Sequence, residues 1–238
     1  RLEGGAGFYA APTRSLEELY DTRADPHQLR NLAHAPEHET TLARMRAELR
    51  RWQMETRDAG FLTEPQMWQR LAGDETPWQI ARDDSRYPLG LLLEAADAVG
   101  RKDAQERQRQ WLRDPHDAVR YWAVTDLFAR ETLTKADIQA LREVLQDSST
   151  IIRVEAASAL ARQGETGEAL PVLTAALRSE SVETRLHAAR ALELAGAVAI
   201  PAREAMKSAL DAAREAEKSG DTDRKSTSLN SSHANISY

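Results

Sequence analysis

Leu112-Arg-Asp-Pro-His-Asp-Ala-Val-Arg120-Tyr-Trp-Ala-Val-Thr-Asp-Leu127 aligns without a gap on Leu145-Gln-Asp-Ser-Ser-Thr-Ile-Ile-Arg153-Val-Glu-Ala-Ala-Ser-Ala-Leu160. Both align on Leu177-Arg-Ser-Glu-Ser-Val-Glu-Thr-Arg185-Leu-His-Ala-Ala-Arg-Ala-Leu192, so the arginines recur at intervals of 33 and 32 residues. A period of that length marks a helical solenoid, in which one helix pair cannot bury its apolar face alone and stacks on its neighbours. Ala123, Ala156 and Ala188, three residues after each arginine, allow close helix approach, and Leu127, Leu160 and Leu192 fill the shared core. Asp114 and Asp147 stand six residues before Arg120 and Arg153, whereas Ser179 holds that place before Arg185. A carboxylate in the inter-helix turn can accept backbone N–H groups at the helix start and also meet an arginine of an adjacent repeat. The expectation is a charge-assisted ladder along Asp114, Arg120, Asp147, Arg153 and Arg185 that weakens at the third unit. The alternative use of the same residues is an anion site lined by Arg120, Arg153 and Arg185.

Outward from the repeats the pattern changes. A helix opening near Pro201 carries Ala202, Ala205, Met206, Ala209, Leu210 and Ala213 as an apolar stripe, as a solenoid cap requires. Beyond Gly220 the chain is too polar to offset the cost of ordering, and Lys225–Tyr238 resembles a read-through peptide that recurs at the ends of environmental open reading frames. Upstream, Pro65, Gly73, Pro77 and Pro88 punctuate a connector with short helical turns, Thr76-Pro77 being suited to start one. Trp68 and Trp78 there are expected to pack on a neighbour, with stacking on a sugar as the functional alternative. From Pro36 the stripe Leu42, Met45, Leu49 and Trp52 predicts one long amphipathic helix that needs a partner surface, with Gly60 as its stop. Ahead of it, Glu18–Asp21 reads as a short strand and Asp25-Pro26 as a turn.

Composition narrows the function classes. The chain has 238 residues, 41% hydrophobic, with 32 basic against 38 acidic side chains in mixed order, so no basic face for nucleic acid is legible. No window approaches the ~18 consecutive apolar residues of a membrane span, and no signal peptide opens the chain. With no cysteine there is no disulfide, thiolate nucleophile or thiolate metal site. His34 and His38 are four apart, but Pro36 between them disfavours a helix, so with His27 they read as turn histidines. Neither a G-x-S-x-G elbow nor a P-loop is present, and no carboxylate pair stands out for acid–base work. No catalytic, cofactor-binding or metal-binding residue is nominated.

The repeats, with Asp in the turn, an apolar-Arg pair opening the second helix and Ala and Leu along it, resemble the HEAT-repeat family. That resemblance covers about residues 87–218 and implies a mostly α, α-α superhelix without fixing an activity. Residues Glu18-Leu-Tyr-Asp-Thr-Arg-Ala-Asp25-Pro-His-Gln-Leu-Arg-Asn31-Leu-Ala33 resemble the C-terminal signature of the type I sulfatases, carried here by Glu18, Leu19, Tyr20, Asp21, Asp25, Pro26, Asn31, Leu32 and Ala33. Thr22 and Gln28 depart from it. The resemblance implies a layout of 1–60 as the remnant of a sulfatase domain (strand, turn, closing helix), 61–86 as connector, 87–218 as HEAT-like repeats and 219–238 as a tail. It further implies a chain that begins inside a longer sulfuric-ester hydrolase, whose calcium and formylglycine lie in a missing catalytic domain, the first expected partner. A protein partner on the solenoid and a periplasmic or extracellular location follow from the family in the same way. The competing readings are a HEAT scaffold with no enzymatic parent and a phosphodiesterase or phosphatase of the same superfamily.

Overall fold

Pro36 fixes its own φ and forces Ala35 into an extended conformation, so the chain enters its first helix through a 3-10 turn, Pro36–His38. The computed structural model describes residues 15–218, and the expectations for the first residues and for the tail lie outside them. The chain divides into two compact units. One holds the described residues up to Phe61 with Gly73–Leu91, and the other holds Leu62–Ala72 with the chain from Leu92.

In the first unit, α1 (Glu39–Thr56) follows the 3-10 turn. It buries Leu42 but leaves Met45, Leu49 and Trp52 at 49%, 54% and 52% exposure, so the stripe read from the sequence is solvated along most of its length. The helix stops at Arg57, four residues after Gln53, whose carbonyl accepts the Arg57 N–H. Arg57 is left-handed (φ 57°), and its guanidinium is anchored on the Ala81 carbonyl and the Asp84 carboxylate, each at 2.7 Å. Tertiary hydrogen bonds therefore end the helix before the glycine expected to do so. Glu18–Asp21 is not a strand, and no strand occurs among the described residues. Leu19 exchanges its backbone bonds with the Asn31 side chain and the Leu32 N–H, which closes a loop without building a ladder.

Thr76 and Gln79 open α3 (Pro77–Ile80), the Gln79 carboxamide accepting from the Thr76 N–H at 2.8 Å. Ile80 and Tyr87 are fully buried, and the Tyr87 hydroxyl donates to the Asp58 carbonyl. Trp78 does not pack on a neighbour as expected. It is 62% exposed beneath the Arg82 guanidinium, 3.8 Å from the ring centroid, because Ile80, two residues on, takes the inward direction.

The second unit begins with α2 (Glu64–Arg70), capped reciprocally by Thr63 and Gln66. The stretch 61–86 thus divides between the units, α2 being tied to the solenoid by hydrogen bonds from Gln66 and Arg70 to Asp117. After α4 (Leu89–Asp97) the repeats follow as α5 (Gln105–Trp111), α6 (Asp117–Ala129), α7 (Lys135–Val144), α8 (Thr150–Arg162), α9 (Thr166–Ala176) and α10 (Val182–Ala195). The second helices α6, α8 and α10 pack side by side, and α7 and α9 cover α8 from the other layer. Ala123, Ala156 and Ala188 are fully buried along this row, where a larger side chain would push the helices apart. No helix among the described residues is long and apolar enough to cross a membrane.

Gly196 (φ 63°) ends α10 and leads through a 3-10 segment, Gly196–Ala202, into α11 (Arg203–Lys218). The apolar stripe expected to cap this end is covered in part, with Ala205, Met206 and Ala209 half-buried. Only Ala202 of the stripe is buried and Leu210 is open to solvent, because α11 packs mainly on the 3-10 segment before it. Leu186 on α10 consequently stays 68% exposed, whereas its equivalent Val154 on α8 is buried.

Leu160→Ala, at the centre of this packing, is expected to cost about 2–5 kcal/mol in urea unfolding, the range for a buried Leu truncated in a site that cannot collapse. Leu186→Ala is expected to change it by under about 1 kcal/mol.

Candidate functional site

The residues singled out by the repeat alignment meet at the turns of the solenoid. Each turn residue at the aligned position caps the backbone two residues on: Asp114 accepts from His116 N–H and Asp147 from Ser149 N–H, both at 2.8 Å, and Ser179 accepts from Ser181 N–H at 3.3 Å. Each aligned arginine wraps its own turn with Nη1. Arg120 donates to the Asp114 and Pro115 carbonyls, Arg153 to those of Asp147 and Ser148, and Arg185 to those of Ser179 and Glu180. The arginine therefore clamps the turn that precedes its helix, whatever the capping residue.

Of the aligned Asp–Arg positions, one pair joins two repeats among the described residues. Arg120 holds Asp147 through two parallel bonds, Nε to Oδ2 at 2.6 Å and Nη2 to Oδ1 at 2.9 Å, with both side chains largely buried. Burial works to raise the Asp147 pKa, but the Arg120 bonds and the Ser149 N–H outweigh it and hold the carboxyl below the usual range. At the next step Ser179 offers no carboxylate, and Arg153 turns Nη2 to Thr150 Oγ1 at 2.9 Å.

A second set of carboxylates was not legible from the repeat pattern. Asp126 and Asp137 are buried side chains bound by Arg130, with Asp126 also accepting from Gly100 N–H at 2.8 Å. Asp137 takes Arg109 at 2.8 Å and closes a capping box with Thr134. Burial raises the Asp137 pKa, yet Arg109 and Thr134 bring it below its ordinary value. Asp137 is thus a fixed acceptor, held in its charged form by its partners. The sequence signal available was Thr134-Lys-Ala-Asp137, a capping-box spacing.

Histidine contributes one cross-repeat contact: His187 Nδ1 lies 3.0 Å from Glu155 Oε1. The Glu155 hydrogen bond, partly opposed by burial, raises the His187 pKa above 6.5. Burial pushes Tyr121, on α6, up to about 12. Among the described residues no three His, Asp or Glu side chains converge as metal ligands.

In the first unit the Glu18–Ala33 residues serve their own loop. Asn31 Oδ1 accepts from Leu19 and Ala33 N–H, each at 2.9 Å, and its amide donates to the Glu17 carbonyl at 2.9 Å. Asp21 accepts from Arg23 and Ala24 N–H, and Asp25 from Arg30 N–H at 2.7 Å, which lowers the Asp25 pKa. Leu19 is the buried anchor, Leu32 and Ala33 are half-buried, and Glu18 and Pro26 are exposed. Tyr20 is half-buried beside them. The arrangement builds a rigid turn ahead of α1 and aims no acid or base at a shared point.

Residues 138–227 match the family model for HEAT repeats. An ulvan-active sulfatase from Formosa agariphila is 40% identical over 67 residues, which is 28% of this chain and 11% of that protein. The chain thus matches only a small share of that relative's length. No solved structure matches it at a significant level.

Asp147→Ala removes a cap and leaves Arg120 without its partner, and is expected to cost about 3 kcal/mol. Arg153→Ala, which loses bonds to carbonyls and a hydroxyl only, is expected to cost about 1 kcal/mol. Urea unfolding of both variants checks the ranking. The raised His187 pKa gives a stabilising contribution that is complete below the unfolded value near 6.5 and is lost as pH rises through the folded value. Between pH 6 and 8 the wild type is expected to lose more stability than His187→Gln.

Proposed function

We propose that this chain is the C-terminal, non-catalytic part of a sulfuric-ester hydrolase, in which a HEAT-like solenoid is appended as an interaction module. The observation that carries the reading is the 40% identity to an ulvan-active sulfatase. The folded Glu18–Ala33 turn supports it, since its Asp and Asn side chains are used in closing a loop, as suits the edge of a larger domain. The exposed Met45, Leu49 and Trp52 of α1 offer that domain an apolar face.

Sulfate-ester cleavage needs an activated nucleophile and cations around the sulfuryl oxygens. In type I sulfatases these are a formylglycine, calcium and flanking basic groups, which belong to the catalytic domain in this proposal. An exported location follows from the same reading. The solenoid would hold a protein partner or brace the catalytic domain, consistent with the pairing of its buried carboxylates Asp126, Asp137 and Asp147.

The test has two parts. The 238-residue chain is expected to show no turnover of a chromogenic sulfate ester. The complete open reading frame is expected to encode a C/S-x-P-S/A-R motif upstream, and its product to hydrolyse sulfate esters. Turnover by the short chain that is lost on mutating one of its own residues would sink the non-catalytic assignment. An upstream sequence without the motif would favour a scaffold with no enzymatic parent.

A further inference from the structure

The solenoid carries two homologous clefts, one at each step between repeats, and their chemistry differs. The first, of ≈ 380 Å³, is lined by Arg113, Glu143, Gln146 and Asp147 among others. The second, of ≈ 450 Å³, has Ala175, Arg178 and Ser179 at the positions aligned with the last three. Both carboxylates have been replaced by neutral residues, and of the arginines Arg178 stands where the first cleft has Gln146 while Arg113 gives way to Gln146, so two lining arginines remain in each cleft.

In the first cleft every charge is matched. Arg113 meets Glu143 at 2.7 Å, Arg109 meets Asp137, and Asp147 is held by Arg120. In the second, Arg153 and Arg178 stand with no lining carboxylate and, among the described residues, in no ion pair, although the Asp147 carboxylate, bound to Arg120, lies within electrostatic reach of Arg153. Arg120 and Arg153 both spend Nη1 on the carbonyls of their own turn, but the Nε–Nη2 edge that grips two carboxylate oxygens in Arg120 meets only Thr150 Oγ1 in Arg153. Two guanidinium groups and the hydroxyls of Thr150 and Ser179 thus line one open cleft. Two guanidiniums can give bidentate and charge-assisted bonds to a compact oxyanion, and a second cation goes beyond what a single carboxylate would balance.

We infer that the cleft between the second and third repeats is a sulfate-group site, with Arg153 and Arg178 as its cations and Thr150 and Ser179 as its hydroxyl donors. The anion site stands on the repeat comparison, and the choice of a sulfate group as its ligand rests on the sulfatase reading. Its ligand is a sulfate group, either free or esterified on a sugar.

The test uses the 238-residue chain with sodium sulfate against sodium chloride at equal ionic strength, since sulfate also stabilises proteins by general exclusion. Isothermal titration and the melting temperature are read together. Wild type is expected to bind sulfate and to melt higher in it. Arg178→Gln, which copies Gln146 at a solvent-exposed position, is expected to weaken binding about tenfold, the equivalent of one charge-assisted bond. Ala175→Glu with Ser179→Asp, which rebuilds the first cleft, is expected to abolish binding. Its circular dichroism and its melting temperature in chloride check that it folds. A sulfated oligosaccharide and its desulfated counterpart then separate the two sources: heat from the sulfated one alone assigns an esterified ligand, and heat from inorganic sulfate alone assigns the free ion. If the double variant binds sulfate as wild type does, or if wild type gives no heat with any sulfate-bearing probe, the site is rejected.

Discussion

The burial of α8 against α6, α7, α9 and α10 is the constraint on which the rest of the solenoid depends. Nine of its thirteen residues are buried, five of them Ala or Ser and the other four Ile151, Ile152, Val154 and Leu160, so small faces that admit close approach alternate with large side chains that must find matching hollows. Its stability comes from close approach on several sides at once, which is possible only when the repeats before and after it are in register. A slip of one turn would bring Ile152 or Leu160 against a neighbour shaped for Ala156. The turns must therefore be fixed with little tolerance, and the arginine clamp does this. By holding two carbonyls of the preceding turn, Arg120, Arg153 and Arg185 each set where their helix begins.

Within that frame the Arg120–Asp147 pair has a narrower role than a continuous ladder would. It joins one repeat to the next at a single step, and several other charges of the unit are paired outside that pattern. Arg130 lies between Asp126 and Asp137, and Arg142 between Glu165 and Glu168. Replacing such pairs by apolar residues is often tolerated or stabilising, so their use here is better understood as specifying which helix meets which. The partners are 23 to 32 residues apart in the cross-repeat cases, at most one repeat length. Mispairing by a whole repeat would leave an unmatched charge in the stack.

The repeat period, the small and large core positions and the loss of the third rung at Ser179 were all legible in the sequence, because they depend on identities at a fixed spacing. What escaped was set by tertiary partners outside that spacing. Arg57 ends α1 because Ala81 and Asp84 hold its guanidinium, and nothing local to Arg57 announces this. Asp137 looks like an ordinary solvated acid until Arg109 and Arg130 are folded onto it, and Asp126 until the Gly100 N–H reaches it. Glu18–Asp21 has strand-like composition, but its neighbour across the loop is one asparagine side chain, which can satisfy single residues and cannot propagate a ladder. Met45, Leu49 and Trp52 have the right periodicity for a core face, and periodicity alone does not say which chain covers it.

The same repeat that makes the fold predictable also makes its exceptions informative. In a stack of equivalent units, a position that changes from acid to neutral is measured against its own sibling in the same molecule, with backbone and neighbours nearly constant. The change from Glu143 and Asp147 to Ala175 and Ser179 alters charge without altering the clamp, since Arg153 keeps its carbonyl partners as Arg120 does. Loss of a partner at one position would be a weakened rung. Loss of both, together with Arg178 in place of Gln146, moves the cleft from balanced to cationic while the chain as a whole is acidic, at a net charge of -6. In a field of that sign, two arginines without carboxylates concentrate the attraction for a small anion at one point, and they do so on helices whose positions are already fixed by the packing of α8.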